Sequence, residues 1–246
     1  MTNPKSSVIY RGPSLIDGEP IVAVAIVKSG NIKTGNMVQT YILRADIDPR
    51  AANKSGSDFS ICGNCKHRGK AHDEPDKPTA KERTCYVQLG QGPLGVWKML
   101  SKGGYPTATG HDEIAALGKG RMVRLGTYGD PAAVPSHIWD SLLHGASGHT
   151  AYTHQSGMKG PDISSRYMIS ADSLEDARKA WKRGSRTFRV VSDISEIDSA
   201  EILCPASQEA GRRTTCERCK LCSGSTINAK SIAIPVHGAG ATHYVQ

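Results

Sequence analysis

Short runs rich in β-branched and aromatic residues recur along the chain at 37–45, 121–129, 149–155, 166–170, 186–191, 201–207 and 231–238, with helical patterns between several of them. Strands that alternate with helices build right-handed βαβ units and a parallel sheet. Six or seven such strands predict an α/β fold, a full or partial parallel (β/α) barrel of the TIM-like kind. The clearest helix is SLEDARKAWKRG (173–184): Ser173 at the N-cap, acids in the first turn, bases in the last, and Gly184 just beyond. Residues 92–104 and 132–148 are the next best helical patterns, and Trp97, Trp139 and Trp181 lie on these helices as core residues. The apolar run PIVAVAIVKSG (20–30) is expected to add an edge strand or to plug the barrel.

With 246 residues and no evident linker, the chain is expected to form a single domain: an N-terminal extension over 1–36, a barrel core over 37–207 and a Cys-rich segment over 204–246. Neither a signal-peptide h-region nor a stretch of about 20 apolar residues is present, which predicts a cytoplasmic protein without a membrane span. A net charge of +8 favours a polyanionic partner, nucleic acid or a nucleotide-like substrate, although solubility alone also accounts for it.

The seven cysteines fall into two groups. Cys204, Cys216, Cys219 and Cys222 give C-x11-C-x2-C-x2-C, and two-residue spacing lets successive thiolates converge on one centre. Such a set completes a tetrahedral zinc site or a [4Fe–4S] site. Cys62, Cys65 and Cys85 give C-x2-C-x19-C after the first predicted barrel strand. Its fourth position is open or filled by His67 or His72, both in the charged excursion 66–83: a Cys3His zinc site, or an iron–sulfur cluster with one iron free for a ligand. Both groups are thus expected to be metal-binding loops. At the ends of predicted strands stand Asp46, Asp48, Tyr128, Asp130, His154, Gln155, Asp172, Asp193 and His237, positions that serve either a barrel's active site or helix caps and turns.

Three cysteines after the first barrel strand, with Tyr86 beside Cys85, and a second strand ending in Gly126-Thr127-Tyr128-Gly129-Asp130-Pro131 resemble the radical S-adenosylmethionine (SAM) enzymes. The last gap of the triad, nineteen residues, departs from that family's compact spacing. The resemblance implies a [4Fe–4S] cluster on Cys62, Cys65 and Cys85 whose open iron takes SAM. It further implies that Gly126, Gly129 and Asp130 hold the SAM amine, that Tyr128, His154 and Gln155 contact SAM or substrate, and that the second cysteine group carries an auxiliary cluster. GDPAAVP and CPASQEAGRRTTC also resemble uncharacterised bacteriophage proteins with the same seven-cysteine layout. A second resemblance is to the tRNA-guanine transglycosylases and their phage relatives that insert deazaguanines into DNA. It implies structural zinc on Cys216, Cys219, Cys222 and His237, and Asp130 or Asp193 as nucleophile. A third reading is a non-catalytic, zinc-stabilised nucleic-acid-binding protein.

Overall fold

In the computed structural model, residues 4–158, 163–238 and 240–244 are described, and the strands pair as two five-stranded sheets. The first holds β1 (Ser7–Pro13), β2 (Pro20–Ile26), β3 (Val38–Arg44), β4 (Met122–Tyr128) and β5 (Gly148–Thr150) in that order. The second runs β6 (Tyr152–Thr153), β7 (Met168–Ala171), β8 (Thr187–Val191), β10 (Ser231–Pro235), β9 (Glu201–Leu203). Only Ala151 separates β5 from β6. Its carbonyl accepts from Met168 N (3.0 Å) while its N–H goes to Cys222 O (3.1 Å), so one extended segment serves both sheets.

Every predicted strand run overlaps an observed strand, and the pairs from β3 to β5 and throughout the second sheet are parallel. The α/β class therefore holds, but the strands form two sheets rather than one closed ring. The apolar run at 20–30 forms β2, which lies inside the first sheet between β1 and β3, antiparallel to both. The edge belongs to β1. β2 is buried along almost its whole length and so reads as a continuous apolar run without alternation.

Helices α1 (Pro49–Ser55), α2 (Phe59–Cys62), α3 (Gly92–Ser101) and α4 (Gly110–Gly118) lie in the crossover from β3 to β4; α5 (Ser136–Leu143) follows β4. After α6 (Ile163–Arg166) comes α7 (Leu174–Lys182), where Ser173 caps as expected by accepting from Asp176 N at 3.1 Å. Asp48 is the N-cap of α1, and Asp193 caps the 3-10 turn at 194–196, so both carboxylates terminate helices instead of facing a site. The connection from β9 to its parallel neighbour β10 carries the four-residue helix α8 (Cys216–Cys219) and the second cysteine group where a full crossover helix is expected.

The turn after β4 depends on two glycines. β4 bulges between its pairings with Gln39 and Tyr41, and at its crest Gly126 has φ +69°; Gly129, at φ +84°, passes so close to β3 that a Cβ would lie 2.7 Å from Ile42 Cβ and 2.9 Å from Ile42 O. Gly129→Ala is therefore expected to destabilise the protein by about 2–4 kcal/mol, left-handed strain plus overpacking. Gly18 shares the positive φ but has open space around it, so Gly18→Ala is expected to cost about 1–2 kcal/mol from strain alone. Urea denaturation of the two variants measures the difference.

Candidate metal centres and the cavity between them

Side chains alternate across a strand, and the faces that the two sheets turn toward each other line one cavity of about 250 Å³. Arg124 and Tyr128 of β4, Thr150 of β5, Tyr152 of β6, Phe188 of β8 and Ile232 of β10 all point into it. All seven cysteines line the same cavity, and all are free thiols.

Cys62 ends α2, and Gly63 behind it turns at φ +53°, where a Cβ would run into the Gln155 side chain. The nineteen residues between Cys65 and Cys85 form a loop with a closed neck. His67 O accepts from both Thr84 N (3.2 Å) and Cys85 N (3.0 Å), and Lys70 and Lys81 bridge as an antiparallel pair. Two buried residues anchor this excursion to the body. Asn53 donates to Arg68 O (2.8 Å) and accepts from Ala80 N (2.9 Å), while Asp58 accepts from Arg68 Nε (3.0 Å). Cys85 thus returns beside Cys65 despite its distance along the chain.

The second group is assembled by the N-terminal region and by one arginine. Cys216 N donates to Lys33 O (3.0 Å) and Glu217 N to Thr34 O (3.2 Å), while Cys204 N, just past β9, donates to Ala233 O (2.8 Å). Arg186 is buried and spends its guanidinium on the carbonyls of Leu221, Gly224, Ala229 and Lys230 at 2.6–2.9 Å. Four backbone acceptors on one planar fork lock the loop that carries Cys222. Burial pushes the thiols of Cys62, Cys85 and Cys204 upward and that of Cys222 to about 12, so a bound metal has to displace protons there.

Gly126, Gly129, Tyr128, Asp130 and His154 reach the cavity wall. The Asp130 carboxylate is already engaged: it accepts from Ala132 N (3.0 Å), His154 N (2.8 Å) and Gln155 Nε2 (3.3 Å), which ties the turn after β4 to the end of β6. Gln155 lies behind the wall and also donates to Cys62 O at 3.2 Å, so it supports the cysteine loop. Among the other predicted ligands, His72 is consumed within the excursion by Thr79 O and Glu74 N, and His237 sits at the rim, bonded to Pro235 O with its ring 5.6 Å from Tyr86.

Residues not singled out in the sequence complete the chamber. Arg124 reaches Tyr86 OH (2.9 Å) and lies over the Tyr152 ring (5.5 Å). Burial alone would lower its pKa, but Tyr86, Tyr152, Cys216 and Cys222 outweigh it and hold the cation in place. Arg124 Nε, Thr127 Oγ1, Tyr128 OH and Thr150 Oγ1 are buried without a hydrogen-bond partner, and all four residues line the cavity. Each such orphan costs roughly 1–3 kcal/mol unless something binds there. The signal for Arg124 was present in the sequence, two residues before Gly126 and four before Tyr128 on one face of β4.

His67, His154 and Asp172 converge at the edge of the first cysteine group. Burial, and then His154, lower His67 to about 4; for His154 burial is outweighed by Cys65 and Asp172, and its pKa is raised well above the ordinary value. No protein-family model, curated protein or solved structure matches the chain.

Proposed function

We propose that this chain is an iron–sulfur enzyme of the radical SAM type, a partial (β/α) barrel with two metal-binding loops that acts on a phosphate-bearing or nucleotide-like substrate in the cytoplasm, that of the host if a phage encodes it. The observation that carries the reading is that all seven cysteines, from two distant stretches of sequence, face one cavity together with unpartnered polar atoms. Cys62, Cys65 and Cys85 hold one [4Fe–4S] cluster and leave an iron for SAM; Cys204, Cys216, Cys219 and Cys222 hold an auxiliary cluster.

Spacing favours clusters over single zinc ions. Four thiolates on one zinc, at about 2.3 Å each, stand roughly 3.8 Å apart. Among the described residues, the one set of three His, Cys, Asp or Glu ligand atoms lying within 4.8 Å of one another is His67, His154 and Asp172, so no three thiols meet that spacing. A cluster takes one thiolate per iron and spans the wider set.

When bound, a cluster of this kind supplies the electron that cleaves the sulfonium of SAM. The chain's own residues orient and enclose. The bulge at Gly126 and the turn at Gly129 bring bare backbone to the cavity, Thr127, Tyr128 and Thr150 offer hydroxyls, and Arg124 offers a cation with a free Nε to an anionic group. Phe188, Val190, Ile232 and Ile234 cover the opposite wall and keep water from the reacting atoms. No helix among the described residues is long and apolar enough to cross a membrane.

The test is anaerobic purification and reconstitution, followed by iron and sulfide analysis and by incubation with dithionite and SAM. About eight irons and eight sulfides per chain, a brown colour, and release of 5′-deoxyadenosine with methionine are expected. Two zincs, no colour and no SAM cleavage would overturn the proposal in favour of an architectural role for the cysteines.

A further inference from the structure

We propose a site for one divalent transition-metal cation, formed by His67 Nε2, His154 Nε2 and Asp172 Oδ1, that adjoins the Cys65 group but takes no thiolate ligand and is independent of the radical SAM reading. Asp172 Oδ1 lies 3.7 Å from His67 Nε2 and 3.4 Å from His154 Nε2, and all three atoms fall within 4.8 Å of one another. Ligands about 2.0–2.2 Å from a zinc or ferrous ion stand roughly 3.0–3.6 Å apart, so a slight contraction closes the shell.

The convergence of three ligand atoms, one of them a buried carboxylate oxygen, is what points to a cation. Asp172 Oδ1 is buried and faces two imidazole nitrogens at ion-pair distance, His154 Nε2 the nearer, without a well-aligned hydrogen bond from either. An ion between them satisfies all three atoms at once.

The surroundings hold the three ligands in place from different parts of the chain. Thr84 Oγ1 bonds His67 Nδ1 at 2.8 Å, which orients the ring with Nε2 toward Asp172, and Tyr244 stacks on its other side at 5.8 Å and 13°. Lys66 Nζ donates to Asp172 O (2.8 Å), and His154 N is tied to Asp130. Two histidines and one carboxylate leave coordination positions free, a donor set that suits Fe²⁺ or Zn²⁺. His67 and His154 both line the cavity, so those free positions are available to a water or to a substrate oxygen.

Cobalt(II) is the probe. The purified protein is loaded with Co²⁺, freed of excess metal by gel filtration, and assayed for bound cobalt and for the near-ultraviolet thiolate-to-cobalt charge-transfer band. Asp172→Asn keeps the side chain's size and removes the charge; it is expected to bind about one cobalt fewer per chain with the thiolate band unchanged, since nitrogen and oxygen ligands contribute nothing to that band. His67→Gln and His154→Gln are expected to do the same. Unchanged cobalt in Asp172→Asn overturns the site. So does loss of the thiolate band in step with cobalt in His154→Gln, which would make His154 a ligand of the Cys65 group. Iron and sulfide contents of the reconstituted protein report separately on the cysteine clusters and are expected to be equal in wild type and Asp172→Asn.

Discussion

Truncating Arg189 to alanine is expected to lower unfolding stability by about 3–5 kcal/mol, the range for leaving one partner of a buried ion pair alone. Arg189 on β8 and Glu201 on β9 have side chains only 2% and 0% exposed, and they meet through two bonds, Nε to Oε1 at 3.0 Å and Nη2 to Oε2 at 2.6 Å. β10 lies between those strands and presents Ala233 and Ser231 at the paired positions, small enough for the guanidinium to reach past. Without Arg189 the Glu201 carboxylate keeps a neighbouring donor, Asp198 N at 3.0 Å, and the bond from Arg189 to Glu196 O is lost as well. Urea denaturation measures the loss. The double change Arg189→Met with Glu201→Leu removes both charges and is expected to recover most of it. A loss below 1 kcal/mol in the single variant would show that water reaches the carboxylate.

The second large effect concerns the cysteines. Under the radical SAM proposal, Cys85→Ala and Cys219→Ala are each expected to lose about four irons and four sulfides, because the two groups hold separate clusters. The consequences for chemistry differ. Cys85→Ala is expected to abolish dithionite-dependent cleavage of SAM, since that group alone leaves an iron for SAM. Cys219→Ala is expected to retain cleavage to 5′-deoxyadenosine while losing turnover of the substrate. Iron analysis together with chromatographic detection of 5′-deoxyadenosine separates the two. If Cys219→Ala stops SAM cleavage as completely as Cys85→Ala, the two groups do not act as independent centres.

Much of the secondary structure was legible because it rests on local physics. The cap at Ser173 and the strand runs from Val38 to Pro235 follow from residues a few positions apart. Other elements were not. Asp48 followed by Pro49 is a local start signal for α1, but in the sequence it competed with a strand-end reading of the same aspartate. The parallel pairing of β3 with β4 across the helical crossover, and the insertion of β10 between β8 and β9, depend on which strands find one another across long separations. Asp130 reads as a catalytic carboxylate in the sequence; besides the local Ala132 N, its donors His154 N and Gln155 Nε2 come from tertiary packing and are not legible there.

By itself the sequence determined the strand segments, the best helix and the two cysteine groups, since spacing and capping act over a few residues. Tertiary structure decided that both groups face one cavity, that Cys85 returns to Cys65 across a closed loop, that Arg124 lines that cavity near Cys216 and Cys222, and that His67, His154 and Asp172 converge. Each of these is a meeting of residues brought together by strand register and long-range backbone hydrogen bonds, and a short window of sequence carries no record of such pairings.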